Sequence, residues 1–184
     1  AAPLFFFPSL RMQLRAATAG DLPAIQAIYA HHVLHGLASF EVEPPSLAEM
    51  RARFEAIAAG GHPYFVAVDG EAVLGYAYAS VYRSRPGYRY TVEDSVYVSP
   101  ALAGRGIGRR LLTRLIDECE CRGYRQMLAV IGDSANAASI ELHRACGFTH
   151  SGTLRSVGLK FGRWIDSVLM QRGLGESDRT LPPA

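Results

Sequence analysis

Seven residues, Ala103-Gly104-Arg105-Gly106-Ile107-Gly108-Arg109, set three glycines in five positions between a β-branched run, Thr91 to Val98, and an apolar-periodic run, Ile107 to Cys121. Glycines so spaced let the backbone turn sharply and approach a ligand closely, and a helix that follows offers unpaired N–H groups and a partial positive charge. That is the chemistry of a pyrophosphate cradle, and Arg105, Arg109 and Arg110 add fixed charge beside it. Two familiar phosphate loops do not fit. A G-x-G-x-x-G fingerprint counted from Gly104 and Gly106 meets Arg109 at its third glycine, and a Walker loop needs Gly-Lys-Ser/Thr, a tripeptide this chain lacks. Alone, the seven residues fit a ligand-free strand-to-helix turn equally well.

The elements that must position this turn can be read from periodicity and punctuation. Leu14 to Ala17 suits a short strand. Thr18-x-x-Asp21 and Ser46-x-x-Glu49 are capping patterns that open two helices, and Leu22, Ile25, Ile28 and Tyr29 are spaced for one buried face of the first. Gly36 to Pro45 between them reads as a loop. Tyr64 to Val68 and Ala72 to Tyr82 flank Asp69-Gly70, a strong hairpin turn, and Thr91 to Val98 is the next strand; these three are expected to pair antiparallel. Leu111, Leu112, Leu115, Ile116 and Cys119 follow at helical spacing. Met127 to Ile131 then reads as a buried strand, Ala137 to Cys146 as a helix ended by Gly147, and Thr149–Leu159 and Trp164–Met170 as two last strands. The expected order is β-α-α-β-β-β-α-β-α-β-β.

Composition bounds the possibilities. A chain of 184 residues is long enough for one domain with a real core, and 49% hydrophobic with 20% charged residues argues against disorder or a coiled coil. A net charge of +2 gives no case for nucleic-acid or polybasic membrane binding, so the arginines at 105, 109 and 110 are better explained by phosphates of a small cofactor. Cys119, Cys121 and Cys146 are odd in number and lack metal-ligand spacing, which reads as reduced thiols in the cytoplasm with no metal. The Pro3-Leu4-Phe5-Phe6-Phe7-Pro8 run is broken by prolines and too short for a signal or a span. Residues 1–12 are expected to be an extension, with Met12 a candidate start or the aromatics packing on a partner, and 173–184 a disordered tail.

The element order, with the glycine-rich turn after the fourth strand, resembles the GNAT superfamily of acetyl-CoA-dependent N-acetyltransferases over about residues 13 to 171. Four separated segments are similar to its phosphinothricin / methionine sulfoximine acetyltransferase branch. They are Thr91-Val92-Glu93-x-Ser95-Val96-Tyr97-Val98, the Arg83/Arg85 segment, Asn136-Ala137-Ala138-Ser139-Ile140-x-Leu142-His143, and Val157-Gly158-x-Lys160-Phe161-Gly162-Arg163-Trp164-x-Asp166. Lys160, the single lysine against eighteen arginines, stands where that motif has one. The resemblance implies an α+β GNAT fold over 13–172, a mixed, mostly antiparallel seven-stranded sheet with about four helices. It also implies acetyl-CoA as co-substrate, a small amino-acid substrate and a homodimer. One departure is Ala103, where the superfamily has Gln or Arg; since backbone N–H groups do most of the pyrophosphate binding, its loss should weaken cofactor affinity modestly.

Attack of an amine on a thioester has three needs. A proton must leave the ammonium, and a half-buried carboxylate suits because burial raises its pKa. Glu93, in an otherwise apolar strand, matches the glutamate to which the resembling branch assigns the base role; on alternation alone it fits a solvent-facing residue as well. Alternation also sends neighbouring Asp94 to the opposite face, so the two should not serve one pocket. The carbonyl oxygen needs a donor, and the resemblance places it in the backbone of Val96, Tyr97 and Val98, where the strand should splay before Ser99-Pro100. The departing thiolate needs a proton, and the resemblance points to His143, four residues before Gly147-Phe148, as its source; the histidine equally fits a tuning or structural role.

The resemblance extends cofactor binding to Gly104, Arg105, Gly106, Ile107, Gly108, Arg109 and Asn136, although Asn136 also suits a helix cap. Substrate binding falls to Phe40, Arg83, Ser84, Arg85, Glu93, Asp94, Ser95 and Lys160, because guanidinium groups grip carboxylates and phosphinates bidentately. Two alternatives stay open: acetylation of a different small amine, and a non-catalytic acetyl-CoA-binding module.

Overall fold

The computed structural model describes residues 11–182, so the aromatic run at 5–7 lies outside the described residues. Eleven elements follow one another: β1 (Gln13–Ala16), α1 (Leu22–His35), α2 (Leu47–Ala59), β2 (Tyr64–Asp69), β3 (Ala72–Val81), β4 (Thr91–Val98), α3 (Ile107–Cys121), β5 (Gln126–Gly132), α4 (Ala137–Ala145), β6 (Thr149–Lys160) and β7 (Arg163–Gly173). The order matches the sequence expectation. The strands form one sheet ordered β1-β2-β3-β4-β5-β7-β6, in which β4 and β5 are parallel and the other neighbours antiparallel.

Local sequence explains most boundaries. Asp21 accepts from Thr18 N at 2.8 Å and Thr18 Oγ1 at 2.9 Å, but a short 3-10 turn over 19–21 precedes α1. Ser46 Oγ accepts from Glu49 N at 3.2 Å and starts α2. Beyond α4, Gly147 takes a left-handed φ of 84° and Phe148 N returns to His143 O at 3.0 Å, a glycine-closed helix end.

The sheet packs on both faces. On one side α3 lays down Ile107, Leu111, Leu112, Leu115, Ile116 and Cys119, all buried, against Ala77, Val92, Met127 and Val168. Burying each large aliphatic there contributes roughly 1.5–3 kcal/mol. On the other side α1 buries Leu22, Ile25, Ile28, Tyr29 and Val33 over Val66, Val68 and Tyr76. Strand alternation divides β4 between these faces: Val92, Val96 and Val98 belong to the α3 side, and Tyr97 to the α1 side.

The segment expected as a disordered tail departs from that expectation. β7 runs through Gly173, Leu174 is fully buried, and Ser177 Oγ accepts from Gln126 Nε2 at 2.8 Å. The buried Leu174 side chain and hydrogen bonds from Arg125 and Gln126 dock the turn that follows, despite its polar composition.

Candidate active site

The glycine-rich turn delivers the geometry its composition promised. Gly104 and Gly106 sit at φ 77° and 76°, left-handed values that favour glycine, and Gly106 caps α3. The first intrahelical bond is Arg110 N to Gly106 O at 3.2 Å, so the first-turn amides have no acceptor within the helix. These amides border a cavity of about 680 Å³ lined by Gly104, Gly106, Ile107, Gly108 and Arg109, with Val96, Tyr97, Val98 and Asn136 also in its wall. Arg105 is not part of that wall. Size, glycine backbone and helix end all suit a pyrophosphate-bearing cofactor such as acetyl-CoA.

The expected splay is present. β4 pairs with β5 only from Thr91 to Asp94, although β4 continues to Val98 and β5 to Gly132. Past Asp94 the β5-facing backbone of β4 therefore leaves the ladder and borders the cleft. Val98 O is met by His32 Nε2 at 2.9 Å, and burial holds that imidazole below its ordinary pKa, so His32 donates as a neutral ring.

A second cavity of about 210 Å³ opens at the splay and shares Ala38, Val96, Tyr97, Asn136 and Ser139 with the first. Glu93, Asp94, Ser95, Phe40 and His143 line it. Glu93 is half-buried, and burial, reinforced by the neighbouring Asp94 charge, raises its pKa, the direction a base working near neutrality requires. The expectation that Asp94 could not share a pocket with Glu93 is corrected here. The two do diverge, but the cavity lies in the gap between β4 and β5 and is bordered by both.

Asp94 turns to α4. Its Oδ2 lies 3.1 Å from His143 Nε2, while His143 Nδ1 lies 2.7 Å from Ser139 O. Burial lowers the His143 pKa, but the Asp94 hydrogen bond and charge outweigh it and the net shift is upward. Asn136 caps its helix, with Oδ1 accepting from Ser139 N at 3.2 Å, and the residue lines both cavities.

The substrate candidates are only partly brought together. Ser95 and Phe40 line the small cavity, and the Phe40 ring packs so closely on Gly158 that a Cβ there would overlap it. Lys160 borders neither of these cavities. It is buried, and its Nζ donates to Ser39 O at 2.7 Å, tying β6 to the loop that carries Phe40. Arg83, Ser84 and Arg85 line a separate cavity with Tyr88, and the Arg83 guanidinium sits 5.1 Å from the Tyr82 ring centroid.

Sequence reasoning missed His32, Ser139 and the Leu37-Ala38 stretch, all of which line the cleft. The His31-His32-x-x-His35 cluster was a visible signal for the first, and Ser139 stood inside the Asn136 to His143 segment without a role assigned to it; Leu37-Ala38 carries no signal. Among the described residues no three His, Cys, Asp or Glu side chains group as a metal site, and no helix is long and apolar enough to cross a membrane.

Comparison with known proteins agrees with this geometry. The sequence profile of the Acetyltransferase (GNAT) family matches residues 28–148. A phosphinothricin N-acetyltransferase of Alcaligenes faecalis is 56% identical over 92% of this chain and 86% of its own. An L-methionine sulfoximine/L-methionine sulfone acetyltransferase of Salmonella typhimurium is 46% identical over 90% of this chain and 96% of its own. The crystal structure of a GNAT superfamily phosphinothricin acetyltransferase from Sinorhizobium meliloti, in complex with AcCoA, superposes with a TM-score of 0.91 at 50% identity, covering 94% of this chain and 93% of that one. The glycine cradle, the splayed strand and the matched sequence together make this chain an N-acetyltransferase of the GNAT family.

Proposed function

We propose that this enzyme transfers acetyl from acetyl-CoA to the α-amine of a small amino-acid analogue of the phosphinothricin or methionine sulfoximine kind, by direct attack in a ternary complex. The observation that carries the proposal is the shared wall between the cofactor cleft and the Glu93 cavity. It lets an amine beside Glu93 meet the acyl end of a cofactor whose phosphates rest on α3.

Acetyl-CoA supplies the electrophile, an acetyl thioester. Glu93 removes the proton that makes the amine nucleophilic, aided by a pKa raised through burial. Backbone N–H groups in the splayed Val96 to Val98 stretch offer donors to the acetyl oxygen. Phe40 and Ser95 shape the amine side of the cavity. The relatives named for phosphinothricin and methionine sulfoximine support the substrate class. A second small amine remains a reading of its own, because Arg83 and Arg85 line a cavity apart from Glu93.

We place the working form as a homodimer in the cytoplasm. The β6–β7 hairpin exposes five large apolar side chains, Leu154, Val157, Leu159, Phe161 and Trp164, the last at 66% exposure, a concentration that suits an association surface. The unpaired thiols of Cys119, Cys121 and Cys146 suit a reducing compartment.

Release of free coenzyme A thiol across methionine sulfoximine, phosphinothricin, free amino acids and polyamines tests the function. Turnover with the first two, reduced about 10²- to 10⁴-fold in Glu93→Gln with acetyl-CoA affinity retained, is the expected result. Acetyl-CoA binding without turnover on any amine would sink the proposal.

A further inference from the structure

One buried pair is left out of the acetyl-transfer step proposed above. Asp94 on β4 and His143 on α4 are 49 residues apart in sequence and meet beside the small cavity, where their side chains are 1% and 6% exposed. The Ser139 carbonyl oxygen can only accept, so Nδ1 of His143 carries a proton. On the Asp94 side, Oδ1 has no hydrogen-bond partner, which makes the His143 contact the whole compensation for a buried carboxylate. A carboxylate held by a single buried partner is tolerable when that partner is a cation.

The groups around the pair supply no substitute. Glu93 on β4 and the buried Cys119 thiol on α3 both feel Asp94 as a like charge. Cys146, at the end of α4, feels Asp94 too and is itself faced by Arg109 of α3 and Arg172 of β7. The Phe148 ring meets the imidazole edge-on at 5.1 Å. Arg172 is engaged with Cys146 O and Glu120. Among the described residues, His143 is the one cationic group in hydrogen-bonding contact with Asp94.

We infer that Asp94 is a positioning residue that locks His143 as an imidazolium with both N–H groups engaged, so that His143 serves the site as a fixed positive charge and not as the proton donor to the leaving thiolate. A ring that gives one N–H to Ser139 O and the other to Asp94 has none free for a sulfur, so the C–S bond breaks with coenzyme A leaving as its thiolate, a weak enough base to depart unprotonated and take its proton from solvent. Its charge still stands in the wall of the cavity where negative charge develops during acyl transfer, and there it acts without moving a proton. The pair also ties β4 to α4 beside the small cavity.

The test has a spectroscopic and a kinetic arm. Nitrogen-15 shifts of the His143 ring in the wild-type protein should show both nitrogens protonated at neutral pH, and Asp94→Asn should lower the titration midpoint by about one pH unit or more. Asp94→Glu should restore it in part. In kinetics, Asp94→Asn should reduce kcat about tenfold with the KM for acetyl-CoA within about twofold. Above the wild-type midpoint, kcat should settle on a lower plateau. A rate that keeps falling about tenfold per pH unit assigns proton donation to His143 and overturns the proposal. So does a ring that is neutral in the wild-type protein at pH 7, a measurement that needs no variant to fold. The kinetic arm rests on the acetyl-transfer proposal and the ring titration does not. An imidazolium in a protein that acetylates nothing sinks the former alone; turnover with a neutral ring sinks the pair alone.

Discussion

Gly132, the last residue of β5, faces the loop that follows α1 so closely that a Cβ built on it would overlap the Leu37 carbonyl oxygen and come within 3.3 Å of Ala38 C. These are backbone atoms and cannot rotate aside, so in Gly132→Ala the loop must move. Forcing one methyl into a packed site costs about 1–3 kcal/mol, offset by about 0.4–1 kcal/mol from the stiffer unfolded chain. For a chain of this size each kcal/mol is about 2–4 °C, so the mid-range net cost of about 1.3 kcal/mol should lower thermal unfolding by roughly 3–5 °C. Leu37 and Ala38 also line the cofactor cleft, and a displaced wall that loses about 1 kcal/mol of contact weakens acetyl-CoA about fivefold. Gly152→Ala is the control. It also lies in a strand, but nothing stands within 4 Å of its added Cβ, so only the stiffer unfolded chain acts and it should be about 0.4–1 kcal/mol more stable than wild type. Calorimetry and titration of acetyl-CoA into both variants decide the matter. If Gly132→Ala matches Gly152→Ala in stability and affinity, the close approach of the loop is not what requires glycine.

Two other expectations are simpler to check. Asp21 is held at about 2, first by its hydrogen bond to Arg15 and then by Thr18, against an ordinary value of 3.8. Because the folded pKa is depressed, the stabilisation is present above the unfolded value and lost as pH falls from there toward 2. Asp21→Asn should therefore cost about 1–2 kcal/mol at pH 7, a value discounted for the exposed Arg15, and nothing near pH 2; urea titrations at both pH values would show it. Ala103→Gln places a donor in the wall of the cleft where the family carries one, and should tighten acetyl-CoA by about 2- to 10-fold through one net hydrogen bond; an unchanged Kd would mean that the backbone alone holds the phosphates.

What could be read in the sequence was what is local. The apolar stripe of α3, the Ser46 cap, the Asp69-Gly70 turn and the Gly147 stop each depend on a few adjacent residues, and each stands where periodicity put it. The glycine cradle was legible for the same reason, and the splay followed from a family motif. Placements set by distant parts of the chain were not legible. Lys160 looked like a substrate ligand, yet its partner is a carbonyl 121 residues away. Asp94 looked like the wrong neighbour of Glu93, because alternation describes a paired strand and the cavity forms where pairing ends. The turn after β7 looked disordered on composition, and its contacts, the burial of Leu174 and the hydrogen bonds to Arg125 and Gln126, come from residues about fifty positions away.

The chain's single tryptophan stands on the outer face of the β6–β7 hairpin, while the interior beside α1 is a stack of tyrosines in which Tyr76 lies 5.3 Å from Tyr97 and 6.0 Å from Tyr64. Two optical signals are therefore separated by position. Tryptophan emission is nearly blind to melting of the core and reports solvent at the hairpin, so a blue shift with rising protein concentration would register a second chain covering that face. Of the nine tyrosines, Tyr29, Tyr64, Tyr76, Tyr78 and Tyr97 pack in that interior, so tyrosine absorbance is weighted toward it. One sample can thus show association and unfolding as independent events, with no label added.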